Sequence, residues 1–259
     1  MNDTTPGLPL LQVHDGRATL TLNRPAHHNR LHVEDLQALG CHFEALANRA
    51  DVQVLVLTGT GASFCSGFDI GSIDGGAASS NAGPRLFEQT VDALEALPLP
   101  TVCRLNGSVY GGATDLALAC DFRIGVDDMT LRIPAVRLGL HYYPSGLRRF
   151  VSRLGLGAAK RLFLLAETIA AGELLRLGYL DRCVHASRLD DELQSVVDAL
   201  LAGAPLALRG MKASLNEIAR GEFEPDVLGE REARCAASDD LREGKAAFAE
   251  RRMARFRGR

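Results

Sequence analysis

Two adjacent glycines, followed three residues later by an acid, are the residues of this chain best placed to do chemistry. They lie in Asn106-Gly107-Ser108-Val109-Tyr110-Gly111-Gly112-Ala113-Thr114-Asp115. Upstream, beyond Pro98 and Pro100, Thr101-Val102-Cys103-Arg104-Leu105 is β-branched and apolar and reads as a strand. Downstream, an alanine-rich apolar run reads as a buried helix ending near Asp121. The glycines therefore sit where a strand turns into a helix. The Gly112 N–H would lie at the positive end of the helix dipole, a donor suited to a phosphate, a carboxylate or an oxyanion. The spacing is neither a G-x-G-x-x-G dinucleotide fingerprint nor a phosphate loop, since no Gly-Lys-Ser/Thr follows. The alternative is a tight packing contact, and a second donor would have to come from elsewhere.

Composition narrows the function classes. The chain has 259 residues, 46% hydrophobic and 24% charged, enough for one large core. A net charge of −3 without aromatic and basic interleaving argues against nucleic acid. No apolar run reaches a membrane span, and Met1 to Pro6 lacks the basic start and apolar core of a signal peptide. Six scattered cysteines without a C-x-x-C read as reduced thiols in a cytoplasmic protein. His27, His28 and His32 have no acid or cysteine at ligand spacing, so no metal is expected.

The elements that must position these residues are legible as alternating strands and helices. Asp15-Gly16 joins two strand-like runs, Leu10 to Val13 and Ala18 to Leu22, as a hairpin. Val33 to Arg49 has helical apolar spacing. Asp51 to Gly59 is nearly all apolar, as a strand covered on both faces would be. Gly61 to Asp69 is a small-residue loop, and the Gly/Ala/Ser-rich segment from Gly71 to Gly83 is expected near a pocket mouth and mobile. Arg85 to Leu97 reads as an amphipathic helix. Phe122 to Val126, Thr130 to Ile133 and Leu180 to Val184 read as short strands. Pro144 is placed as the first residue of a helix to about Leu154, followed by a second from Gly157 to Ala166 and a short one from Ala171 to Leu177. Asp190 to Ala202, Pro205 to Arg220, Glu224 to Ala236 and Asp239 to Arg255 complete a helical last third, with Ser238 as an N-cap. The basic tail reads as a solvated helix end or a phosphate contact.

These motifs converge on a family. Asn23-Arg24-Pro25 with Asn29 and Leu31, Val54 to Gly59, Phe64-Cys65-Ser66-Gly67-Phe68-Asp69, Asn106-Gly107 with Gly111-Gly112, Leu116 to Asp121, Leu138-Gly139-Leu140, Pro205-Leu206-Ala207, and Phe248 with the closing Phe256-Arg257-Gly258-Arg259 occur in its order and spacing. The chain resembles the crotonase (enoyl-CoA hydratase/isomerase) superfamily over nearly its full length. The resemblance implies an α/β fold, a spiral of repeated ββα units over residues 1–200 and a helical oligomerisation region over 201–259. It implies a homotrimer or dimer of trimers, a coenzyme A thioester as ligand, and no cofactor beyond the CoA of the substrate.

It also supplies the second donor, since the family holds its thioester oxygen between two backbone N–H groups that fall on Phe68 and Gly112. Negative charge that builds on that oxygen in an enolate is stabilised by two fixed donors more than the neutral ground state is. Of the two carboxylates that hydratases use, the first falls on Asp115, an Asp for a Glu, on the first helical turn and facing the same pocket. Burial would otherwise demand a partner such as Arg104. The second falls on Ala135, so the usual two-acid hydration loses one acid. Methylmalonyl-CoA decarboxylases of the superfamily place a tyrosine where Tyr142 stands, and Tyr142 and Tyr143 either handle the α-carbon or fill the pocket wall. His141 is expected as a packed or supporting residue rather than a base. For CoA the resemblance points to Arg24 and Arg30 in one subunit and Phe248 and Arg251 from a neighbour. Three readings follow: an enoyl-CoA hydratase or isomerase working through a thioester enolate, a malonyl- or methylmalonyl-type decarboxylase, and a non-catalytic acyl-CoA binder.

Overall fold

The structure is a computed structural model and describes residues 7–69 and 82–259. Met1 to Pro6 and most of the segment from Gly71 to Gly83 lie outside the described residues. The chain enters through a hairpin of β1 (Leu10–His14) and β2 (Arg17–Leu22), turned at Asp15 (φ 47°) and Gly16 (φ 78°). Both central residues at positive φ match the right-handed twist of the flanking strands. Then α1 (Val33–Ala47) leads to β3 (Val54–Gly59) and α2 (Ala82–Ala96) to β4 (Thr101–Leu105). Next come β5 (Val109–Tyr110), α3 (Ala113–Ala119), β6 (Phe122–Val126) and β7 (Thr130–Arg132). The rest comprises α4 (Pro144–Lys160), β8 (Ile169–Ala170), α5 (Ala171–Arg176), β9 (Arg182–Val184), α6 (Leu189–Leu201), α7 (Pro205–Arg220), α8 (Pro225–Ala236) and α9 (Asp239–Glu250).

The main sheet runs β1-β2-β3-β4-β6-β9 and is parallel from β2 onward. All six residues of β3 are buried, which is why this strand is apolar on both faces. Leu36, Leu39, Phe43 and Leu46 of α1 recur at helical spacing and are buried in the same core. A second layer holds the short strands β5-β7-β8, continued by single parallel bridges between Cys65 and Val109 and between Leu31 and Phe68. Successive passes of the chain thus place a long strand in the main sheet, a short stretch in the second layer, and then a helix. This is the strand-strand-helix repeat of the expected α/β spiral.

One expectation is met across a kink, and two features differ from the sequence expectation, each for a physical reason. The two helices expected on either side of residue 155 are both present: α4 is a pair of helices that meet at Gly155 (φ 80°, ψ 160°), a conformation that glycine adopts without strain. The two-residue strands β5 and β8 were not expected, being too short to show a period. Finally, α9 stops at Glu250 because Arg251 turns to φ 53°, and the tail folds back. There the Arg257 and Gly258 amides donate to the buried Asp240 carboxylate at 2.7 and 2.9 Å. Ser238 caps α9 as expected, its hydroxyl accepting from the Leu241 amide at 3.1 Å.

Candidate active site

A cavity of about 280 Å³ opens where the loop after β3, the start of α2, the β5–α3 turn and the segment 133–143 meet. Phe68 and Gly112 both line it. The parallel bridge to Leu31 uses the neighbours of Phe68: the Leu31 amide donates to Gly67 O and the Asp69 amide to Leu31 O, each at 2.9 Å. Alternate groups of an extended strand point opposite ways, so the N–H of Phe68 itself faces away from Leu31. Among the described residues it has no hydrogen-bond acceptor. On the other side, Gly111 donates to Arg132 O at 2.9 Å and Gly112 caps α3, accepting from Leu116 at 3.2 Å. The Gly112 N–H likewise has no acceptor among the described residues.

Glycine is required for these segments to meet. Gly67 has φ 98°, and a Cβ there would stand 2.8 Å from Tyr110 O and 3.2 Å from Gly112 N. A Cβ on Gly112 would stand 2.8 Å from the tip of the Phe87 ring. Phe87 is wedged between Phe68 and Tyr143, with ring centroids 5.9 Å from each.

Asp115 was expected to face the pocket, paired if at all with Arg104. The structure corrects both points. Its side chain is fully buried, it is not part of the cavity lining, and Arg104 binds Asp190 instead. Asp115 Oδ2 accepts from the Tyr143 hydroxyl at 2.6 Å and from Arg149 Nη1 at 2.5 Å. Burial pushes its carboxyl above the ordinary value, against the pull of the Arg149 guanidinium and the Tyr143 hydroxyl. Arg149, from α4, is itself fully buried and also binds Asp92 at 2.6 Å and Glu95 at 3.0 Å on α2. Glu95 further receives Arg148 and Arg153 at 3.3 and 3.2 Å. This network ties α2, α3 and α4 together behind the cavity. Sequence reasoning missed it; the signal was the run of Arg148, Arg149 and Arg153 opposite Asp92 and Glu95, two acids one helical turn apart.

Tyr142 and Tyr143 stack at 4.5 Å, and both line the cavity. The Tyr142 hydroxyl, expected near a ligand, is instead buried and has no partner among the described residues. His141, expected to be packed, is exposed and lines the cavity, with Nδ1 2.7 Å from the Tyr142 carbonyl oxygen. Ala135 lines the cavity with an apolar side chain.

The four residues expected to hold CoA are elsewhere in this single chain. Arg24 is engaged by Asp35 at 3.1 and 3.2 Å and Arg30 by Asp69 at 3.3 Å. Phe248 stands 88% exposed on α9, and Arg251 is exposed just beyond it. The tail arginine Arg252 is held by Glu243 and Glu250, both at 2.6 Å. Among the described residues no group of three ligating side chains is placed to hold a metal, and no helix is long and apolar enough to cross a membrane.

The sequence model of the enoyl-CoA hydratase/isomerase family matches residues 13–259. The chain is 31% identical to a crotonyl-CoA hydratase of Syntrophomonas wolfei, over 95% of this chain and 96% of the relative. It is 29% identical to a short-chain-enoyl-CoA hydratase of Clostridium acetobutylicum, over 91% and 92% of the two chains. An enoyl-CoA hydratase/carnithine racemase structure from Magnetospirillum magneticum superposes with a TM-score of 0.93 at 25% identity, covering 98% of this chain and 97% of that one. The spiral fold, the glycine-bounded turn at Gly111-Gly112 and this full-length similarity together place the chain in the enoyl-CoA hydratase/isomerase family of the crotonase superfamily.

Proposed function

We propose that the protein is an acyl-CoA enzyme that stabilises a thioester enolate between the main-chain amides of Phe68 and Gly112. The observation that carries this reading is the pair of N–H groups on adjoining segments, both lining one cavity and both without an acceptor among the described residues. Both residues are half-buried at the cavity wall, so a ligand that excludes water there must supply the acceptor, and a thioester oxygen that gains charge is the acceptor such a pair favours most. Backbone donors also account for a phenylalanine at 68, since only its N–H is needed. Asp115 acts on the cavity through Tyr143, so Asp115→Asn is expected to slow turnover at least about tenfold, roughly 1.4 kcal/mol of barrier.

A second reading is favoured by Ala135, which leaves the cavity without the acid a two-carboxylate hydration needs. Loss of carbon dioxide from a malonyl-type ester yields the same enolate and requires no base to begin. The exposed apolar residues Met211, Leu215, Phe248 and Met253 support an assembly of several copies, as a trimer or a dimer of trimers, with Phe248 and Arg251 of one copy and Arg24 and Arg30 of another flanking CoA. Light scattering on the purified protein gives the copy number.

The deciding experiment is mass spectrometry after incubation with crotonyl-, malonyl-, methylmalonyl- and branched-acyl-CoA esters. Gain of water identifies a hydratase and loss of carbon dioxide a decarboxylase. Binding without any conversion sinks the enzymatic reading.

A further inference from the structure

We propose that His141 is the proton-transfer residue of this cavity, its Nε2 taking the place of the carboxylate that residue 135 does not supply. The assignment rests on the acyl-CoA reading above.

Among the described lining residues, each other polar side chain is either committed to a partner or turned away from the cavity's solvent. The Tyr110 hydroxyl is bonded to Thr130 Oγ1 at 2.7 Å. The Tyr143 hydroxyl donates its proton to Asp115. The Tyr142 hydroxyl is turned into the protein, away from solvent. Ser66 has a weak bond to the His27 carbonyl at 3.4 Å, and a serine without a neighbouring base is a poor proton acceptor. Asp115 is sealed behind Tyr143 and does not line the cavity.

His141 differs from all of these. Its side chain is exposed and lines the cavity, and its hydrogen bond among the described residues runs from Nδ1 to the Tyr142 carbonyl oxygen at 2.7 Å. A carbonyl oxygen can only accept, so Nδ1 carries the hydrogen. In the neutral ring the lone pair then lies on Nε2, the nitrogen on the far side from the backbone. A ring whose tautomer is fixed by a carbonyl is the usual arrangement of an imidazole that works as a base. The backbone also joins His141 to the position of the missing acid: the Leu140 amide donates to Ala135 O at 3.0 Å, which closes the short turn between them.

In the step assigned to it, the Nε2 lone pair takes a proton from the α-carbon of the thioester. The C–H bond breaks, an N–H bond forms, and the C–H electron pair passes to the thioester oxygen between the Phe68 and Gly112 amides. The exposed N–H trades its hydrogen with solvent water, the N–H bond then breaks as a proton is returned to carbon, and no other reactant is consumed.

The test is α-proton exchange. Wild-type protein, His141→Ala and His141→Gln are incubated with butyryl-CoA and phenylacetyl-CoA in D₂O, and deuterium at the α-carbon is followed by NMR. Binding of each ester is measured in parallel by calorimetry. The expected result is exchange by the wild type, a loss of at least about 100-fold in both variants with binding retained, and partial rescue of His141→Ala by added imidazole. Because the ring is exposed and bonds only to its neighbour, both variants are expected to fold. Exchange in His141→Ala within threefold of wild type overturns the assignment and leaves the acyl-CoA reading intact. A wild type that binds the esters and exchanges neither overturns the enolate reading and the assignment together.

Discussion

Replacing Arg149 with methionine removes a guanidinium of similar length from a site with no access to water. It leaves Asp115 fully buried with only the Tyr143 hydroxyl, and strips the principal partner from Glu95, which is 7% exposed. Breaking one side of a buried ion pair costs about 3–5 kcal/mol, because the remaining charge is uncompensated. For a chain of this size about 2–4 °C of melting temperature accompanies each kcal/mol. Arg149→Met should therefore melt about 6–20 °C below wild type. The sign of the pH dependence follows from the carboxylates. In the wild type, burial works against the Glu95 charge, but Arg149, Arg153 and Arg148 outweigh it and hold its carboxyl below the ordinary value. That contribution is present above the unfolded carboxylate range and is lost as pH falls through the lowered folded value. In the variant burial acts with its main opponent gone, so both acids are raised and take up protons sooner. The gap between the two proteins should be widest near pH 7.5 and narrow towards pH 5. Urea denaturation followed by circular dichroism at both pH values measures it. A deficit below about 1 kcal/mol at pH 7.5, or one that does not change with pH, would show that the network is not the internal brace described above.

Further outcomes are expected. In a Phe87→Leu background, which clears the ring tip from residue 112, Gly112→Pro should turn over about 10²–10³-fold more slowly than Gly112→Ala, since only the proline lacks the N–H; equal rates would remove that amide from the mechanism. Tyr142→Phe deletes a buried hydroxyl with no partner among the described residues and should leave urea stability unchanged or about 1 kcal/mol higher. Tyr143→Phe deletes the bond to Asp115 and should cost about 1.5–3 kcal/mol; the opposite ranking would mean that the two phenols have been misassigned. With Ellman's reagent on the native protein, exposed Cys41 should react first. Cys65, whose thiol burial pushes up to about 12, should stay protected together with buried Cys103 and Cys120 until the protein unfolds.

Much of the fold was legible because its signals are local. Asp15-Gly16 can hardly be anything but a tight hairpin, and the unbroken apolar run of β3 announces a strand with both faces covered. The helices α6 to α9 declare themselves by spacing and by Pro205, Pro225 and Ser238 at their starts. Of the candidate site, the turn at Gly111-Gly112 was legible in the letters, because glycine leaves a mark in the sequence where side-chain orientation does not; the donor at Phe68 came only from the family resemblance. Tyr142 and Tyr143 show the limit. They are neighbours in a non-helical stretch, and nothing in the letters says whose hydroxyl meets Asp115. Arg149 shows it again: on paper it is one of several arginines on an amphipathic helix, and only packing against α2 and α3 makes it the buried one.

The bridge between Leu31 and Phe68 sets a rule of parity for the loop after β3. Substitution at 68 changes the cavity wall but keeps the N–H aimed at it. Deleting or inserting one residue between β3 and this bridge would instead rotate the alternation by one step and present a carbonyl where the amide stood. At position 68 the count of residues back to β3 therefore matters more than the side chain, whereas Gly67 beside it is fixed in both count and identity.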